Sequence, residues 1–210
     1  MVIQASAYRV TMGSNEGQIE DLPVTVASTK SLISQWNGKL TDDWGSLANL
    51  KLNVNGLLKG EFTNPLSVPL SRASLVYRGW VFRIPMTIGP GERVSIDHLS
   101  PLDFSWQLTR RRLVKSHDAS LPWSPEDVSD LPRIVEMLMF YGVAGGENYT
   151  QLAHQYQRFI DLSSQLQLNC AMLVGYCAEP LSELIVNNKV DQNQRRNLLT
   201  FDLKKFLLNF

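Results

Sequence analysis

The sequence predicts an α+β fold: an N-terminal antiparallel β-sandwich followed by a helix pair packed on further β-strands. Three observations carry that expectation. Between Leu58 and Ile96, short apolar stretches at period two alternate with turn residues, among them Asn64-Pro65 and Gly89-Pro90-Gly91. Proline presets one backbone angle and glycine supplies the positive φ that tight turns need, and short strands so punctuated are the pattern of an antiparallel sandwich. At Leu121 the apolar period changes from two to 3.6, the helical repeat. Finally, Cys170 to Tyr176 is a near-continuous apolar run, which suits a strand buried on both faces. The division expected is a sandwich module over 1–120 and a helix pair with strands over 121–210. The two should dock as one unit, because two helices and a few late strands bury too little surface alone to offset the entropy of ordering them.

In order along the chain, Ala7 to Met12 and Ile19 to Val26 alternate around Gly13-Ser14-Asn15-Glu16-Gly17, a hairpin signal. Leu32, Ile33 and Trp36 suit a short helical turn within Ser28 to Lys39, and Leu40 to Lys51 reads as a loop feeding the next strand. Strands are expected over Leu50 to Phe62, Leu75 to Ile84 with a bend at Gly79, Arg93 to Ile96, and Trp106 to Val114. The segment Leu121 to Pro132 is proline-rich and acidic, and Asp130 with Pro132 opens a helix over Leu131 to Tyr141. Thr150 to Leu166 predicts a second helix, since Leu152, Tyr156, Phe159 and Ile160 form one stripe. Strands return at Cys170 to Tyr176, Leu184 to Val186 and Leu198 to Leu208.

Twenty basic and twenty acidic side chains cancel. That removes the electrostatic footprint of a general nucleic-acid binder, whose affinity comes largely from neutralising phosphates, so no nucleic acid is expected as a partner. No apolar run reaches the eighteen or so residues of a membrane span, and Met1 to Ser14 lacks the basic-then-apolar pattern of an export signal. Any membrane attachment is therefore expected through segments outside this chain. The two cysteines, Cys170 and Cys177, would lie about 23 Å apart along one strand at ~3.3 Å per residue, too far for a disulfide. Two thiols without histidines at ligand spacing make no zinc site, and no metal or cofactor is expected.

The motifs of nucleophilic, phosphate-binding and metalloprotease chemistry are missing, so no catalytic residue is assigned. Gly142 to Gly146 resembles a phosphate cradle but follows a helix, where a C-cap is the simpler reading. His98 with Ser100, or His117 with Ser120, would support a hydrolase if folded together. Of the five tryptophans, Trp80 and Trp106 fall in expected strands and are assigned to the core. Trp44 and Trp123 sit in polar loops and are the candidate ligand-binding residues, able to stack on a sugar if exposed. The acidic pair Asp42-Asp43 lacks a calcium-loop pattern, and Glu126, Asp127 and Asp130 suit a helix N-terminus.

The segments GEFTNPLSVPL, LVYRGWVFRI and IGPGERVSI resemble a module of large, uncharacterised bacterial membrane-associated proteins. YTQLAHQYQRFIDLSSQL and NCAMLVGYCAEPL are similar to the part that accompanies it. The resemblance covers about Gly56 to Ile96 and Asn148 to Pro180 and carries turn and core residues. It implies an immunoglobulin-like, extracytoplasmic domain and assigns no catalytic residue. The resulting expectation is a non-enzymatic interaction or spacer module, a soluble part of a larger membrane-anchored protein whose partner is another protein or the rest of that chain. Alternatives are a carbohydrate-binding module, with a glycan as partner, or a hydrolase. The location is the periplasm or cell envelope if the chain is part of a longer protein, and the cytoplasm otherwise.

Overall fold

The computed structural model describes residues 2–5, 8–12, 17–23, 47–112, 120–126, 131–153, 158–177, 185–186, 189–190 and 197–203. The chain divides into two compact units, 1–38 and 39–210. In the first, β1 (Val2–Ala5), β2 (Tyr8–Met12) and β3 (Gly17–Glu20) form an antiparallel sheet in that order. The β2–β3 pairing forms a hairpin where one was expected, with Val10 opposite Ile19, but its second strand is Gly17–Glu20 and has ended before Asp21 to Pro23, which the expected stretch Ile19 to Val26 included. The helical turn expected within Ser28 to Lys39 and the residue Trp44 lie outside the described residues.

The second unit runs through β4 (Ala48–Leu52), β5 (Leu58–Thr63), β6 (Ser71–Tyr77), β7 (Trp80–Arg83), β8 (Arg93–Ser95) and β9 (Leu102–Asp103). It continues with α1 (Phe104–Thr109), β10 (Arg110–Arg112), β11 (Ser120–Pro122), α2 (Leu131–Met139) and α3 (Gly146–Thr150). Two 3-10 turns, Arg158–Ile160 and Ser163–Gln167, lead to β12 (Ala171–Cys177), then β13 (Ile185–Val186), β14 (Lys189–Val190) and β15 (Asn197–Leu203). Two sheets dominate, β4-β5-β8 and β15-β12-β6-β7-β9, and every pairing in them is antiparallel. The fold is a β-rich α+β arrangement.

Alternation along the strands sends side chains into two cores. Leu50, Leu58, Phe62 and Val94 of the smaller sheet share the first with Leu75, Tyr77, Phe82, Ala171 and Leu173 of the larger. The opposite face of the larger sheet supplies Val76, Val81, Met172 and Val174 to a second core, closed by Phe104 and Leu108 of α1, Trp123, and Met137, Met139 and Phe140 at α2. The Phe104 and Phe140 rings meet edge to face at 4.8 Å. With cover on both sides, β12 is apolar at successive positions, as its sequence predicts. Cys170 and Cys177 are buried at the two ends of this strand, and no disulfide joins them.

The larger sheet crosses the boundary expected at residue 120. Strand β12 hydrogen-bonds to β6 on one side and β15 on the other, so late and early strands belong to one sheet.

Four local expectations are corrected. Leu50 to Phe62 is a hairpin, β4 and β5, turned by the Asn53 side chain, whose Oδ1 accepts the N–H groups of Asn55 and Leu57 at 2.9 and 3.0 Å. Leu75 to Ile84 is likewise a hairpin, with Arg78 at φ 52° in the turn. The strand expected from Trp106 is preceded by a helix: Asp103 Oδ1 accepts the Trp106 N–H at 2.7 Å, capping α1, and Phe104 and Leu108 at helical spacing face the second core. Strand geometry begins only at Arg110. The continuous helix expected over Thr150 to Leu166 does not form. Gln151 takes φ 52° and ends α3, and Asp161 Oδ1 accepts the Ser163 N–H at 2.9 Å, a local side-chain bond that competes with helix.

Candidate functional site

A cavity of about 550 Å³ opens over the second-core face of the large sheet, between the sheet and helices α1 and α2. Its floor is apolar: Val76, Val81 and Val174 from three adjacent strands, with Phe104, Leu108 and Phe140 from the helical side. Its rim carries Arg72, Arg83, Gln107, Glu136 and Tyr176, with Ile84 to Thr87 along one edge.

A β-bulge builds part of this rim. Tyr176 pairs with Ser71 while Val174 pairs with Ser74, so β6 spends one residue more than β12 over the same span. Arg72 within the bulge has φ 50°. The local break in alternation lets the neighbours Ser71 and Arg72 both line the cavity, the re-aiming that bulges commonly provide. The Arg72 guanidinium lies 5.3 Å from the Tyr176 ring centre and 3.8 Å from Glu136 Oε1. The Tyr176 hydroxyl is 3.3 Å from the Pro132 carbonyl and 3.4 Å from Glu136 Oε1. On β7, Arg83 follows Val81 at period two and so projects on the same side of the sheet.

Arg133 on α2 donates to the carbonyl oxygens of Gln107 and Leu108, which ties α2 to α1 close to the rim. The guanidiniums of Arg72 and Arg133 and the carboxylate of Glu136 all act on Arg83. Partial burial pulls the Arg83 guanidinium below its ordinary range; Glu136 opposes that shift, and Arg133 and Arg72 reinforce it. An arginine so perturbed stays protonated at neutral pH. Among the described residues Arg83 has no ion-pair partner within 4.0 Å.

A second constellation fixes the turns of the smaller sheet. The buried Asn64 side chain donates to the carbonyls of Val68 and Gly89 at 3.0 Å each and of Ile88 at 3.3 Å, and accepts the Leu66 N–H at 3.1 Å. Its backbone also exchanges bonds with the next turn, from Asn64 N–H to Glu92 O and from Gly91 N–H to Asn64 O. Glu92 Oε2 closes that turn on the Gly89 N–H at 2.6 Å, and Gly91 supplies φ 65°. Gly60 has φ 117°, and a Cβ there would sit 2.0 Å from the Asn49 carbonyl oxygen.

The sequence-predicted site residues fall elsewhere. Trp123 is not exposed: its ring is in the second core and its Nε1–H donates to the Thr150 carbonyl at 3.0 Å, so no stacking face is offered. Trp80 and Trp106, assigned to the core from strand alternation, are instead 41% and 44% exposed, because Trp80 sits at the hairpin end and Trp106 on the outer side of α1. His98 and Ser100 are both exposed, and His117 lies outside the described residues. Asp42 and Asp43 lie outside them as well. Gly142 to Gly146 both ends one helix and opens α3, but the N–H groups of Ala144, Gly145 and Gly146 bond to Phe140, Gly142 and Tyr141 carbonyls, so they are spent within the turn. Arg72, Arg83 and Glu136 were missed by sequence reasoning. The signal available was Arg83 at even spacing from Val81, a charge on the face of a buried residue.

These features define a β-rich α+β protein with an arginine-rimmed pocket over its central sheet. A family model described as a domain of unknown function, DUF8725, matches residues 47–205, and the chain belongs to that family. The match begins at β4 and ends just beyond β15. No curated protein matches the chain, and no solved structure does.

Proposed function

We propose that residues 39–210 form an immunoglobulin-like sandwich acting as a non-enzymatic interaction module, an extracytoplasmic part of a larger membrane-anchored bacterial protein. The observation that carries the interaction reading is the chemistry of the cavity over the larger sheet. Its charged groups are the Arg72 and Arg83 guanidiniums and one carboxylate engaged by Arg72 and Tyr176, with neutral polar side chains such as Gln107 and Thr87 beside them, above an apolar floor. Guanidiniums hold anions and do not serve as bases, so the set is suited to binding. The sandwich reading is supported by the core shared between two antiparallel sheets. The compartment and the larger protein are supported by the resemblance of the strand motif at Gly60 to Phe62 and the turn motifs at Asn64 and Gly89 to Glu92.

A photo-crosslinking amino acid at Met86, an exposed rim residue, tests the module in cells expressing the natural full-length gene. The expected result is a discrete adduct that Arg83→Glu abolishes, formed in spheroplasts and destroyed by protease added outside. An adduct yield at Met86 no greater than at the exposed Val54 would sink the interaction reading. Complete protease protection in intact spheroplasts would sink the extracytoplasmic one.

A further inference from the structure

We propose that the cavity between the central sheet and helices α1 and α2 is a site for a small amphiphilic carboxylate, its alkyl part on the floor and its carboxylate on Arg83. The inference rests on reading this cavity as a binding site and names its ligand class. Volume sets the first limit. About 550 Å³ falls in the range of about 300–1,000 Å³ typical of small-molecule sites. Polarity sets the second: six apolar side chains, Val76, Val81, Val174, Phe104, Leu108 and Phe140, leave an apolar ligand body no hydrogen bond to satisfy on the floor.

Charge then selects the head group. Glu136 is already shared between Arg72 and the Tyr176 hydroxyl, and Arg133 is engaged with the carbonyls of α1. Arg83 is left on the rim without an ion-pair partner among the described residues, directly above Val81 in the strand pattern. A carboxylate there would accept two parallel N–H bonds from one guanidinium, the strongest arrangement that side chain offers. An alkylammonium would instead place a like charge against the Arg83 guanidinium, and an alcohol would leave Arg83 unmatched.

Titration of the folded chain with octanoate, octanol and octylammonium, read by calorimetry and by the Arg83 Nε–Hε signal of ¹⁵N-labelled protein, tests this. Octanoate should bind saturably and move the Arg83 signal, with octanol at least roughly tenfold weaker and octylammonium showing no saturable binding, in keeping with the strength of charge-assisted bonds. Arg83→Gln should lose at least that factor for octanoate and little for octanol, and Arg83→Lys should recover part of it. Equal affinity for octanoate and octanol, or an unmoved Arg83 signal at saturation, would overturn the proposal, and the second readout needs no variant to fold. If octanoate fails while an acetylated acidic peptide moves the Arg83 signal, the alkyl-carboxylate assignment falls and the binding-site reading stands. If no anion moves it, both fall.

Discussion

Two residues, Gly60 in strand β5 and Asn64 just after it, concentrate more structural constraint than their size suggests. Gly60 lies opposite Leu50 in the β4–β5 ladder with φ 117°, where a side chain would be strained and would also strike the Asn49 carbonyl. Gly60→Ala should therefore cost about 3 kcal/mol or more, the sum of backbone strain and overpacking, measured by denaturant unfolding. A loss below about 1 kcal/mol would mean the hairpin shifts freely. Asn64 is buried and its amide serves three carbonyl oxygens across two turns. Asn64→Ala leaves those acceptors unmatched, and about 2 to 4 kcal/mol of destabilisation is expected. Asn64→Asp should be similarly harmful, since a carboxylate cannot donate. Asn64 was legible as a turn residue by its proline neighbour, whereas Gly60 was read as an ordinary strand position and its constraint went unseen. The reach of Asn64 to Gly89 was not legible, because it depends on two turns far apart in sequence meeting in space.

At the scale of the element, the strands were easier to read than the helices. β6, β8 and β12 show either alternation or an unbroken apolar run, and each follows from one or two buried faces. α1 was read as a strand because its six residues are too few for the helical period to separate from alternation. Its decisive signal was the capping Asp103, which precedes the helix. The stripe over Thr150 to Leu166 misled for the opposite reason. It has helical spacing, yet the Asp161 to Ser163 turn offers the backbone a competing partner that periodicity does not register. Trp123 was placed on the surface because its neighbours are polar and prolyl, whereas the loop folds its indole under the helices. The helical layer should be strongly coupled to the sheet through Phe140, which is 2% exposed and packed edge-on against Phe104. Phe140→Ala is expected to cost about 3 to 5 kcal/mol in thermal or denaturant unfolding. A cost under about 1 kcal/mol would show that the layer contributes little.

For the whole molecule, the connection between early and late sequence is the β6–β12 ladder, with Leu75 opposite Leu173 and Tyr77 opposite Ala171. A protease site introduced after Lys115, once cleaved, should leave two pieces that co-elute and melt in one transition, because each lacks strands needed to complete the larger sheet. Separation of the pieces under native conditions, or two transitions, would show that the ladder is dispensable. The expectation of one docked unit rested on the insufficiency of each half; strand order was not legible, because it joins residues about a hundred positions apart and so depends on contacts absent from any local window. The cysteines bear on this same ladder. Cys170 and Cys177 bracket β12 and are each only 2% exposed. A thiol reagent therefore reaches them when the middle of the molecule parts, and the labelling rate at each end becomes a clock for that opening, separately readable by mass for the two ends of one strand.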